Sequence, residues 1–176
     1  MNSSYNFDSR LIPFKREIGY DEAIKNEQHD GLIVIDFTEL KAPSFATEWP
    51  NEDGWRFHRS VQRGGYLYHS WRMKGILGDA AIVARIFGDY ESAQQDFLDE
   101  ANSTSMMFLP WIACSKKIGT VCTQSDDKQR VFFAYKNIML DVARLSHEPG
   151  HEDFALVLAE WLFDALKAAP LKPMPR

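Results

Sequence analysis

The sequence predicts an α+β fold. It is a two-layer sandwich whose mainly antiparallel sheet of six or seven strands is covered on one face by two longer helices. Three observations carry this. The strand-like runs Arg130–Tyr135 and Ile138–Leu145 are separated only by Lys136-Asn137, which demands a hairpin. The runs Trp55–Val61 and Tyr66–Met73 flank Gly64-Gly65, a pair that tolerates the positive φ of a tight turn. Apolar residues in Phe154–Lys167 recur at spacings of three and four, the helical period. The strand–helix–strand alternation of a doubly wound parallel sheet appears only once.

Taken in order, residues 1–20 read as an N-terminal extension, with Pro13 breaking any helix. Residues 21–170 read as one domain and residues 171–176 as a C-terminal tail. Asp21–Gln28 is a short helix with acidic residues at its start, where they suit the helix dipole. Leu32–Phe37 is an apolar strand rich in β-branched residues, and the prolines of Lys41–Asp53 mark a loop. In the Gly64-Gly65 hairpin a two-residue turn places Ser60 opposite His69 and His58 opposite Trp71. Ala80–Phe87 is a strand. Tyr90–Asn102 is a helix with Ala93, Phe97 and Leu98 buried, and Glu91, Asp96, Asp99 and Glu100 in water. Pro110 interrupts Met106–Trp111, and Ile118–Thr123 is a short strand. The expected core is Ile33, Ile35, Ile82, Val83, Ile86, Phe97, Phe133, Ile138, Leu140, Val142, Leu158, Trp161 and Leu162.

Composition bounds the function. The 176 residues suffice for one self-supporting core, and 45% hydrophobic residues exclude a disordered chain. A net charge of −5 without any basic block argues against nucleic acid as the partner. No apolar run reaches the ~20 residues that span a bilayer, so no membrane partner is expected. The first ten residues have no signal-type apolar segment. Cytoplasmic residence is therefore the default, and a signal segment removed beforehand would make the chain extracytoplasmic. Cys114 and Cys122 are too few for a disulfide scaffold or a zinc ribbon. A tight hairpin would let them bridge, but two half-buried thiols are the favoured reading.

Several motifs suggest chemistry. His147-Glu148-Pro149-Gly150-His151 satisfies the spelling of H-E-x-x-H, which binds zinc only from a continuous helix. Pro149 and Gly150 break that helix, so no metal and no cofactor is expected. Ser60 beside His69 could form a nucleophile and its base, yet the candidate orienting acids, Glu52 and Asp53, lie in the preceding loop and no nucleophile elbow accompanies the pair. The best candidate surface for a ligand or partner is Arg56, His58, His69, Trp71 and Arg72. An aromatic ring among cations suits a carboxylate, a phosphate or an acidic protein.

From Ala80 onward three pieces form a recurrent layout: Ile86-Phe87-Gly88-Asp89 before a helix, Ile118-Gly119, and Phe133 to Val142 around Asn137. That layout resembles one found in small extracytoplasmic or lipoprotein-type α+β domains, and is similar to that of Mog1/PsbP-like domains. The resemblance implies a binding or sensing module. The leading expectation is accordingly a non-enzymatic binding or protein-interaction module, of ligand-binding, sensing or inhibitor type, for a protein or a small anionic ligand. The alternative is a small-molecule enzyme using His58, His69 and a carboxylate such as Asp53 in a cavity between sheet and helices. A homodimer joined through the first hairpin is a third expectation.

Overall fold

The computed structural model describes residues 11–49, 56–59, 66–105, 111–146 and 149–174, with only the backbone of 56–59 and 104–105. Its centre is a seven-strand antiparallel path, as the sequence predicts. In chain order the strands are β1 (Leu32–Ile33), β2 (Ala46–Glu48), β3 (Arg56–Arg59), β4 (Leu67–Gly75), β5 (Ala80–Ile86), β6 (Trp111–Ala113), β7 (Val121–Ser125), β8 (Arg130–Tyr135), β9 (Ile138–Arg144) and β10 (Leu171–Lys172). The main sheet runs β2-β4-β5-β9-β8-β7-β6, with β3 also paired to β4, while β1 and β10 form a separate two-stranded sheet. The helices are α1 (Leu11–Glu17), α2 (Tyr20–Lys25), α3 (Tyr90–Ser105) and α4 (Phe154–Ala168). No helix of the described residues is long and apolar enough to cross a membrane.

Strand alternation divides the core in two. Val131, Phe133, Ile138, Leu140 and Val142 face α4 through Phe154, Leu158 and Leu162. Phe132, Ala134 and Met139 face α3 through Phe97, Leu98 and Ala101. The two long helices therefore lie on opposite faces of the sheet rather than sharing one. The reason is legible in β8, RVFFAY, which is apolar on both sides, so each side needs a cover. The central strands are buried accordingly: Ile82, Phe133, Ile138 and Leu140 are all 0% exposed.

Other details depart from the sequence reading. Pro13 does not prevent a helix, because it sits in the first turn of α1, where its missing N–H has no intrahelical partner to lose. The helix packs Phe14 against Phe97 at 6.3 Å, so part of the expected N-terminal extension covers the core. The expected strand Leu32–Phe37 is shortened. Asp36 caps a 3-10 turn at Phe37–Glu39 by accepting from the Thr38 N–H. Leu171 and Lys172, expected in the tail, pair with Ile33 and Leu32.

Asp96 and Glu100 are not simply solvated. Arg85 donates to Asp96 at 2.8 Å and to Glu100 at 3.1 Å. Arg130 donates to Glu100 at 2.7 Å and to Asp141 at 2.8 Å. Arginines on β5 and β8 thus reach up to the carboxylates of α3 and tie that helix to the sheet. Burial pushes the Asp96 carboxyl above its ordinary range, against the opposing pull of Arg85.

Cys114 and Cys122 are bridged, against the favoured free-thiol reading. The β6–β7 hairpin supplies the reason: Ala113 pairs with Thr123, which brings the next Cα atoms outward to 5.8 Å.

Candidate functional site

The sequence-predicted surface is divided by the strand that carries it. His69, Trp71 and Met73 point into the core and are 5%, 3% and 0% exposed. Arg72 and Lys74 alternate with them and are exposed on the other side. Lys74 pairs with Glu48 at 3.4 Å. The His69 ring lies 5.8 Å from Phe37, and Trp71 stands between Phe37 at 5.6 Å and Trp49 at 5.5 Å. Trp49 in turn meets Trp161 of α4 edge to face. Burial lowers the His69 pKa, and the charge of Asp36 opposes that.

The hairpin register is not the expected one. Arg56 pairs with Ser70, Phe57 with His69, and His58 with Tyr68. This leaves residues 60–66 between the paired ends, where a Gly64-Gly65 turn would leave two. His58 is therefore not opposite Trp71, because an odd slip exchanges the faces of a strand. The side chains of Arg56 and His58 lie outside the described residues, as do Ser60, Asp53 and the Gly64-Gly65 turn. Of H-E-x-x-H, His147 and Glu148 also lie outside them. Pro149-Gly150 is a turn with Gly150 at φ 93°, and α4 begins only at Phe154. Among the described residues no three His, Cys, Asp or Glu side chains are grouped to hold a metal.

A cleft of about 480 Å³ opens elsewhere, at the end of the sheet where the Lys136-Asn137 turn meets α2. That volume falls in the range of small-ligand sites. Helix α2 and the segment after it contribute Glu22, Ala23, Asn26, Glu27, Gln28 and Asp30. The disulfide loop contributes Lys117, Gly119 and Thr120, and β8 with its turn contributes Tyr135 and Lys136.

The cleft has a locked base. Lys136 takes φ 52°, a left-handed conformation that a lysine adopts at some cost. Its ammonium, on a side chain only 6% exposed, donates to the Gln28 carbonyl at 2.9 Å and to the Asp30 carboxylate. Burial works to lower the Lys136 pKa, but the bond to Asp30 and the nearby acidic groups outweigh it and raise it. The same bond holds Asp30 below its ordinary range. Glu27 accepts from the Lys136 N–H at 2.9 Å, from the Thr120 hydroxyl, and from the Gln94 amide at 2.8 Å. Asn137, 1% exposed, accepts from the Ile33 N–H at 2.7 Å and donates to the Phe87 carbonyl at 3.1 Å.

The loop wall is equally fixed. The Thr120 N–H donates to the Ala134 carbonyl at 2.8 Å, and Ile118 is 2% exposed. Gly119 lies at φ 67° so close to β8 that a Cβ there would stand 2.6 Å from the Ala134 carbonyl oxygen.

No family model, curated protein or solved structure matches this chain. The cleft must be interpreted from its own groups. The sequence did hold one signal for it. A two-residue hairpin turn favours Gly or Asn at its left-handed position, and this chain spends that position on Lys136. Such strain often accompanies a site. Nothing local could reveal that Glu27, 109 positions away, meets that turn.

Proposed function

We propose that the protein is a non-enzymatic binding module, and that the cleft beside Lys136 is where it binds a small polar ligand. One observation carries the reading. The base of the cleft is held by Glu27, Asp30, Lys136 and Thr120 in mutual hydrogen bonds, while Glu22, Asn26, Gln28 and Lys117 stand exposed around it. A cleft ordered before its ligand arrives loses little conformational entropy on binding. Glu27 and Lys136 are the wrong groups for proton transfer here, since their hydrogen-bonding capacity is committed to the fold. The Cys114–Cys122 bridge supports an oxidising compartment for this module.

A melting-temperature screen of small polar metabolites tests the reading. Stabilising ligands are expected, and their effect should vanish when Ala23→Trp fills the cleft. Turnover of an ester, phosphate or peptide substrate that His69→Gln abolishes would overturn it. The enzyme reading has one observation in its favour, the electrostatic action of Asp36 on His69. Against it, His69 is 5% exposed and packed on Phe37, which leaves a substrate little access.

A further inference from the structure

We infer that the cleft takes a zwitterion of amino-acid type, a free amino acid or a very short peptide, and this rests on the binding reading above. The charges decide it. Asp30 and Lys136 neutralise each other, and the Glu27 carboxylate, while keeping its charge, has its oxygens occupied by three neutral donors. Two charged groups of opposite sign are left with no such bonds among the described residues, Glu22 on α2 and Lys117 on the disulfide loop. Both are exposed, and neither forms an ion pair among the described residues, so they stand farther apart than a contact pair.

A ligand carrying both an ammonium and a carboxylate answers that gap. Its ammonium meets Glu22 and its carboxylate meets Lys117, with the amides of Asn26 and Gln28 able to serve either end. A dianion or a dication would set one of its charges against a like charge on the lining. The volume agrees. About 480 Å³ corresponds to roughly 16 waters at ~30 Å³ each, room for an amino acid with its side chain or for a dipeptide. Tyr135, half-buried and packed edge-to-face on Phe163, also lines the cleft. The Thr120–Glu27 hydrogen bond ties the segment after α2 to the disulfide loop, so the backbones that carry the two charged groups are held together before binding.

Calorimetric titration tests this with the common amino acids and alanyl-alanine, each free, N-acetylated and C-amidated. At least one free form is expected to bind, and either blocking group should weaken it about tenfold or more. Glu22→Gln should erase the penalty for N-acetylation but keep that for amidation, and Lys117→Met should do the reverse. Both positions are exposed, so unchanged melting temperatures will show that the variants fold. Blocked forms that bind as well as free ones would overturn the zwitterion while leaving a binding cleft. Silence from every free probe would overturn it too. Whether the cleft binds anything is then decided by the metabolite screen and the Ala23→Trp variant.

Discussion

Replacing Asn137 with alanine should be among the most damaging single changes in this chain. Its side chain sits at a junction of three segments. It accepts from the Ile33 N–H at 2.7 Å and donates to the Phe87 carbonyl at 3.1 Å and the Ile33 carbonyl at 3.4 Å. Asn137 is 1% and Ile33 2% exposed, so water cannot replace what alanine removes at Ile33. A buried polar group left without its partner costs about 1–3 kcal/mol. With one N–H and two carbonyls affected, one of them only through the long 3.4 Å bond, the loss is about 2–5 kcal/mol. A urea slope of about 2 kcal/mol/M turns this into a midpoint lowered by roughly 1–2.5 M. Asn137→Asp separates the terms. It keeps an acceptor for Ile33 but loses the donor to Phe87 and buries a charge, so it should be no better than alanine. Urea unfolding followed by tryptophan fluorescence measures both, and amide exchange at Ile33 localises the effect. A midpoint within 0.3 M of the parent for Asn137→Ala (roughly half a kcal/mol at that slope), with Ile33 still protected, would refute the reasoning.

Two further outcomes follow from geometry already described. Reducing the Cys114–Cys122 bridge, or replacing both cysteines with serine, opens a loop of sequence separation 8 and should remove about 2.5 kcal/mol by the loop-entropy relation. For a chain of this length that lowers the melting temperature by roughly 5–10 °C, and equal melting curves with and without reductant would contradict it. The His69 pKa is depressed below its ordinary 6.5 by burial, so the unfolded chain takes up a proton there before the folded one does. Stability should be unaffected by His69 above that value and should fall as pH drops from it through the folded pKa. His69→Phe should flatten this part of the stability–pH curve, and a variant curve parallel to the parent's would remove His69 as its source.

The parts of the fold that could be read from the sequence are those whose signals are local. The β8–β9 hairpin shows its turn as a two-residue gap, and α4 shows its buried stripe as a period. Both appear where the pattern puts them. The register of β3 on β4 was not legible, because Gly64-Gly65 looks like a tight turn whether or not the pairing uses it. The placement of α3 and α4 on opposite faces was missed for a different reason. Each helix shows a stripe but does not say which side of the sheet it meets; the doubly apolar β8 holds that information. Asp96 and Glu100 looked solvated because their partners, Arg85 and Arg130, lie on strands separated from each other in the chain. The cleft was invisible for a related reason. Its base joins residues 27–30 to residues 120 and 136, and its charges acquire meaning only once those segments meet.

The small β1–β10 sheet has a consequence for biosynthesis. Leu32 pairs with Lys172 and Ile33 with Leu171, so one strand waits for a partner synthesised about 140 residues after it. Until Leu171 and Lys172 are made, the Leu32–Ile33 edge lacks this mate, and Gly31, packed against the Lys172 carbonyl in the folded molecule, lacks that contact. This closure therefore comes only after every strand of the main sheet has been synthesised.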